Sequence, residues 1–316
     1  MRHLWLIALL WFPLPTRAQT GLNGQWVAFK RASAPNSNLQ CFTPNNVSVT
    51  GGNLVITTKS EFATCSSIDL PFAAYRYTSG YVAMRNFHFL YGTVEFRAKF
   101  GGGADTGAWP VVWMSDASCQ ASDPTGTDEK CNGQEIDIGE ILRSDFTHVN
   151  QQIHVENFTH NDGCSAATTD TSKNFHVYQL VWSAGSLVFK IDGATTCTIS
   201  QNYVPKASMY LKIDNFVGKF GGPVNDGSLP WTTLVNYVKV SQNSTVIFED
   251  DFNAKDTNQA AKAVLLTPSS SNRSAKTSDS KASGRWRLWA SVICLVILCA
   301  RIAFGFRGPR SSRERA

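Results

Sequence analysis

The chain has 316 residues, 43% of them hydrophobic, enough for one large domain or two small ones, and its formal net charge is +5. That charge is unevenly placed: ten Lys/Arg against two Asp/Glu lie from residue 267 onward, whereas 19–266 hold 17 basic and 22 acidic residues. The basic balance belongs to the C-terminal end, and nothing on the remainder asks for a nucleic acid partner.

Residues 1–18 read as a signal peptide. Arg2 and His3 precede an apolar run from Leu4 to Phe12, and Thr16-Arg17-Ala18 offers a small residue for cleavage. The run is short for a bilayer span, which disfavours the alternative of an uncleaved anchor.

From Thr20 to Ala254 helical periodicity is missing, and short alternating segments are separated by Gly, Asn, Asp, Ser and Pro. Val47–Val49 and Asn53–Thr57 bracket Gly51-Gly52 and predict a hairpin. Gly92 to Phe100 is the cleanest strand, with Val94, Phe96, Ala98 and Phe100 alternating against Thr93, Glu95, Arg97 and Lys99. Further strands are expected over Trp109–Met114, Ile136–Leu142, Val149–Val155, Phe175–Trp182, Leu187–Ile191, Met209–Val217 and Val235–Val240. So many short strands, punctuated by turns, predict an all-β sandwich or jelly roll over 19–255. Trp182 alternates with other large residues on its strand and reads as core.

Residues 256–286 are expected to form a stalk, because Thr267 to Gly284 is rich in Ser, Lys and Arg. A transmembrane helix is expected over 287–306. Leu288 to Phe306 would span about 28 Å at 1.5 Å per residue, with Arg301 near enough to its end to snorkel. Arg307, Arg310, Arg313 and Arg315 would then place the tail, 307–316, in the cytoplasm. A lipid-anchor signal would end in its apolar tail, which this chain does not.

Cys294 and Cys299 fall in that span, while Cys41, Cys65, Cys119, Cys131, Cys164 and Cys197 fall in the exported part. Six cysteines in an oxidising compartment allow up to three disulfides and 15 connectivities. Cys119 and Cys131 flank a polar loop and form the expected local pair; the spacings fit no zinc site. N-glycosylation sequons occur at Asn46, Asn157, Asn243 and Asn272.

The chemistry concentrates in Glu135-Ile136-Asp137-Ile138-Gly139-Glu140. On a strand, Glu135 and Asp137 share a face, with the isoleucines behind. Glu140 falls on the wrong face unless one residue bulges, and Gly139 sits where a bulge is needed. Crowded, partly buried acids raise at least one pKa, which supplies a protonated acid near neutrality. Paired carboxylates of a retaining glycosidase lie about 5 Å apart, whereas a flat strand would hold these Cα atoms more than about 12 Å apart, so a curved strand is required. A calcium loop or a solvated acidic edge are the alternatives.

This stretch resembles the active-site signature of family-16 glycoside hydrolases, in the bulge-carrying version typical of laminarinase-like endo-β-1,3-glucanases. The resemblance extends through Tyr77–Gly80, Tyr91–Lys99, Gly107–Met114, Ile153-His154, Phe175–Trp182, Ile191–Gly193 and Tyr237–Val240, roughly 22–242. It implies a curved β-sandwich jelly roll with a concave substrate cleft and a retaining endo-glycosidase. Glu135 would be the nucleophile, Glu140 the acid/base and Asp137 a partner tuning the nucleophile. Trp109 and Trp113 would line sugar subsites, and His154 would sit beside the acid/base. Asp214–Gly222 departs from the family's Gly-Gly-Asn/Trp-Pro stretch, leaving the far subsites open. Asn236 stands where many members carry an aspartate, so a structural calcium ion is not supported; no metal and no cofactor are expected. Phe248–Phe252 resembles a segment usually found near the family's N-terminus.

The expected substrate is a β-linked polysaccharide, β-1,3-glucan first, met outside the cytoplasm by a membrane-anchored monomer. The alternatives are a cell-wall transglycosylase and a non-catalytic glucan-binding module.

Overall fold

The computed structural model describes residues 22, 24–32, 38–66, 73–119, 134–155, 159–200 and 203–253. Regular structure among them is β-strand, apart from four 3-10 turns. In chain order the strands are β1 (Trp26–Ala28), β2 (Arg31–Ala32), β3 (Gln40–Phe42), β4 (Val47–Thr50), β5 (Asn53–Cys65) and β6 (Ala73–Ser79). Next come β7 (Tyr81–Met84), β8 (Gly92–Lys99), β9 (Ala108–Asp116), β10 (Glu135–Glu140), β11 (His148–Val155) and β12 (His160–Ala167). The last six are β13 (His176–Ser183), β14 (Ser186–Ile191), β15 (Ala194–Ser200), β16 (Met209–Val217), β17 (Trp231–Gln242) and β18 (Thr245–Asp250).

Two sheets result. One has seven antiparallel strands in the order β1-β7-β16-β9-β10-β11-β12. The other runs β15-β14-β13-β8-β17-β5-β6-β3-β2, with β18 on β17 and β4 on β5; the β3–β6 pair in it is parallel. Alternation explains which side faces in. Val94, Phe96 and Ala98 of β8 and Tyr178 and Leu180 of β13 join Val112 and Met114 of β9, Ile136 and Ile138 of β10 and Leu211 and Ile213 of β16 in one core. Phe96 stacks on Tyr178 at 4.9 Å within it. On the outer side of β8, Glu95 accepts from Lys239 at 2.8 Å, Gln179 at 2.9 Å and Tyr237 at 3.1 Å, so flanking strands satisfy the residue that alternation turns outward. The result is an all-β, jelly-roll-like sandwich.

The β4–β5 hairpin turns on Gly51 and Gly52 with φ of 58° and 68°, the two positive values that suit a two-residue hairpin turn. Ser183 and Ser186 pair, so β13 and β14 are joined by a two-residue turn. β10 starts one residue earlier than expected and ends at Glu140. β1, β2, β3, β6, β7, β12, β15 and β18 were not anticipated. β12 and β15 are sheet-edge strands with largely exposed side chains, so no apolar alternation marks them.

Disulfides join Cys41 to Cys65 and Cys164 to Cys197. The second ties the edge strand β12 of one sheet to the edge strand β15 of the other. Cys119 is also disulfide-bonded, while Cys131, its expected partner, lies outside the described residues. The Phe248–Phe252 segment packs on β1. Trp26 Nε1 donates to Asp250 Oδ2 at 2.9 Å, and the Trp26 ring packs against Phe248 and Phe252. Asn46 is a structural residue, 2% exposed, that donates to Thr57 O and Thr78 Oγ1, whereas Asn243 is exposed in the β17–β18 turn. Trp182 is core, as read from its strand, and its indole donates to Pro205 O at 3.1 Å.

The expected signal peptide, stalk, membrane helix and tail, with Asn157 and Asn272, lie outside the described residues. Among the described residues no helix is long and apolar enough to cross a membrane.

Candidate active site

Five neighbouring strands of the seven-stranded sheet turn polar and aromatic side chains to its outer face, in cross-strand rows. Tyr210, Ser115, Glu135, His154 and Asn161 form one row; Lys212, Trp113, Asp137 and Gln152 form the next; Asp214, Val111, Glu140 and Asn150 form the third. The acids reach one face because β10 bulges. Against β9 the register steps from Asp137↔Trp113 to Gly139↔Val112, and against β11 from Asp137↔Gln152 to Glu140↔Asn150. Ile138 and Gly139 together face the core between Asp137 and Glu140.

The bulge does not use a left-handed glycine, for Gly139 is absent from the positive-φ residues. A Cβ there would point inward and meet the rings of Phe100, Tyr178 and Phe96 at 3.4–3.6 Å. Gly139 therefore gives space to the aromatic core beneath the acids, and Ile138 is the inserted residue.

Both oxygens of Glu140 are engaged. Trp109 Nε1 donates to Oε1 at 2.7 Å and Gln152 Nε2 to Oε2 at 2.6 Å. Burial pushes the Glu140 carboxyl up to about 6, against the Trp109 hydrogen bond and with help from the charge of Glu135. Burial, then the charge of Glu140, push Asp137 up to about 7, opposed by His154. His154 Nε2 lies 3.2 Å from Asp137 Oδ2 and 3.9 Å from Glu135 Oε1, while Nδ1 lies 2.5 Å from Asn161 Oδ1. Burial opposes a charge on this ring, but the hydrogen bond and charge of Asp137 outweigh it, and the imidazole is held up at about 9. Both ring nitrogens face oxygen atoms, and these contacts favour the protonated ring.

Glu135, Asp137 and His154 offer ligand atoms within 4.8 Å of one another. His154 spends its two nitrogens on Asp137 and Asn161, so the three residues form part of a hydrogen-bonded chain. Asn236 is used otherwise, donating to Gly52 O at 2.9 Å and accepting from Arg97 at 3.4 Å.

Trp109 is 8% exposed; its ring stacks on Phe216 at 4.3 Å and meets Phe220 edge-on at 5.0 Å. Trp113 is half-buried, donates from Nε1 to Asp214 Oδ2 at 2.9 Å and carries the Lys212 ammonium 4.3 Å from its ring centroid. Every residue anticipated for the site, Glu135, Asp137, Glu140, Trp109, Trp113 and His154, is on this face. Gln152, Asn161, Lys212 and Asp214 were missed. Lys212 and Asp214 alternate with Leu211 and Ile213 on β16, which was a readable sign of one polar face; Gln152 and Asn161 depend on cross-strand register.

Chemically, the face presents a buried carboxyl whose pKa is raised toward neutrality beside a more accessible acid facing the His154 ring. That separation of environments suits paired acid and nucleophile work.

Residues 36–233 match the family described as Glycosyl hydrolases family 16. Among curated proteins, the chain is 29% identical over 198 residues to the endo-1,3-1,4-beta-glycanase EglC of Rhizobium meliloti, covering 62% of this chain and 39% of that protein. It is 27% identical over 175 residues to the keratan-sulfate endo-1,4-beta-galactosidase of Sphingobacterium multivorum, covering 52% and 40%. The chain thus spans about two fifths of the length of these relatives. Among solved structures, LamA of Zobellia galactanivorans in complex with laminaritriose and laminaritetraose is 26% identical, with a TM-score of 0.59 over 69% of this chain and 92% of that one. The laminarinase catalytic domain of Thermotoga maritima is 25% identical, with a TM-score of 0.55 over 65% and 84%. With the family match covering well over half of its length, the chain belongs to glycosyl hydrolases family 16.

Proposed function

We propose that this protein is a retaining endo-glycosidase that cleaves a β-linked polysaccharide, β-1,3-glucan first among the candidates. The observation that carries the reading is the unequal setting of two glutamates on one bulged strand. Glu140 is buried and its carboxyl is pushed up to about 6, as a proton donor to a leaving glycosidic oxygen requires. Glu135 is more open and faces the His154 ring, as a nucleophile awaiting the anomeric carbon would. In the first step Glu135 forms the glycosyl ester while Glu140 gives its proton to the departing sugar. In the second, Glu140 takes a proton from water, and that water displaces Glu135. Asp137, hydrogen-bonded to His154, steadies the pair of charges between them.

The substrate assignment is supported by the named activities of the relatives and by the solved complex of LamA with laminari-oligosaccharides. Substrate would lie in a concave cleft over the outer face of the seven-stranded sheet. Export is supported by the disulfides, which belong to oxidising compartments. With the apolar segment at 288–306 this gives a membrane-anchored enzyme acting outside the cytoplasm.

The test is hydrolysis of laminarin and mixed-linkage β-glucan by the purified protein, with the anomer released first read by NMR. A β-anomer first and loss of at least 1,000-fold in kcat for Glu135→Gln are expected, on the order of what losing a catalytic nucleophile costs. Unchanged cleavage by Glu135→Gln sinks the nucleophile assignment, and an α-anomer first sinks retention.

A further inference from the structure

Resting on that reading, we propose that Phe220 and Lys219 form a pyranose-binding subsite at the Glu140 end of the site: the Phe220 ring is the platform for a sugar's C–H face and the Lys219 ammonium the donor to its hydroxyls. The juxtaposition lies in Asp214–Gly222, where this chain departs from the family's usual stretch.

Trp109 has its polar edge committed to Glu140, and its ring is covered by Phe216 and Phe220. The aromatic surface left open above it is Phe220, which is 52% exposed. An exposed phenylalanine on a loose loop would fold inward, but this loop is fixed. Arg143 N donates to Phe220 O at 2.6 Å, Ser144 Oγ to Gly221 O at 2.9 Å and Gly218 N to Gly107 O at 2.9 Å. A Cβ on Gly221 would stand 2.4 Å from Gly107 O, so the turn packs directly on the backbone before β9.

The turn is also strained. Lys219 holds φ of 47°, a left-handed conformation that a side-chain-bearing residue adopts at a cost. That conformation brings its ammonium 4.6 Å from the Phe220 centroid and 5.9 Å from that of Trp109. Strain, an exposed ring and a cation meeting one contact from the acid are unprofitable for the fold alone. An apolar face beside a flexible donor is what recognises a pyranose, whose C–H face and hydroxyl rim have those two characters. The ammonium would leave the ring for a hydroxyl as the sugar settles.

The experiment is steady-state kinetics on laminarin with Phe220→Ala, Phe220→Trp and Lys219→Gly, the last chosen because glycine suits the left-handed φ. Phe220→Ala should raise KM about tenfold with kcat changed less than about twofold, Phe220→Trp should keep KM near the parent's, and Lys219→Gly should raise KM two- to threefold, roughly the scale of one exposed contact. An unchanged KM in Phe220→Ala overturns the subsite. So does a fall in kcat with the basic limb of the pH profile displaced, for Phe220 would then only shield Trp109 and Glu140. If the parent cleaves no β-glucan, the proposed function fails separately. Calorimetric titration of parent and Phe220→Ala with laminari-oligosaccharides then decides the subsite: a weaker variant supports it, and equal affinity, including none, overturns it.

Discussion

The indole N–H of Trp109 stands 2.7 Å from Oε1 of Glu140, a bond from β9 to β10 that joins the aromatic stretch of the sequence to the last of its acids. A donor at that distance favours the ionised carboxylate and so works against the burial that raises its pKa. Trp109→Phe keeps a ring over Phe216 and removes the donor. The basic limb of kcat/KM against pH, set by loss of the Glu140 proton, is expected to move about one pH unit higher. A limb that stays in place or moves lower would show that the indole does not tune this acid.

The same acid is a liability to the fold. Its folded value, about 6, lies above its ordinary 4.5. A carboxyl raised in this way is favourable while protonated, so its contribution is full below pH 4.5 and is lost as the pH rises through 6. At pH 8 the ionised group costs the folded state about 2 kcal/mol. Glu140→Gln should therefore melt higher than the parent at pH 8, with the difference closing by pH 4. Thermal melts across that range check the sign, and a lower melting temperature at pH 8 would contradict it.

Gly139 gives a sharper contrast. With ordinary φ and room for a Cβ at 3.4–3.6 Å from three rings, Gly139→Ala should change stability by less than about 1 kcal/mol and keep activity. Gly139→Leu must push Phe100, Tyr178 and Phe96 aside and should cost about 1–3 kcal/mol. Denaturant unfolding compares the two. Equal, large losses would mean that the bulge backbone itself demands glycine.

The Cys164–Cys197 bridge closes a sequence separation of 33 between the edges of two sheets. Replacing both residues with serine should cost about 3–4 kcal/mol on loop entropy, seen as a lower denaturation midpoint. Faster proteolysis within β12 or β15 should accompany it, since neither edge strand has another covalent hold. A midpoint within error of the parent would show that packing alone joins the edges.

Several elements are legible in the sequence alone. β8 was readable because one side meets the core, and burial on one face writes a period of two; β16 is buried on both sides, and there it is polarity that alternates, Leu211 and Ile213 against Lys212 and Asp214. The bulge was readable because three acids and two isoleucines fit one polar face only if a residue is inserted. β12 was not, since a polar edge strand owes its conformation to β11 and carries no pattern of its own. Phe248–Phe252 made no sense alone; it became intelligible when Trp26, over 200 positions earlier, was seen to bond Asp250.

By itself, the sequence determined the class of fold, the face on which the acids stand and the functional groups gathered there. These follow from local rules of side-chain alternation and functional-group type. Tertiary structure decided which neighbours each acid keeps, and so which of them holds a proton. Gln152 and Trp109 reach Glu140, and Asn161 reaches His154, only through strand register, and desolvation is a property of the whole sandwich. A pKa depends on the free energy of a charge in its surroundings, and those surroundings are assembled from residues far apart in the chain.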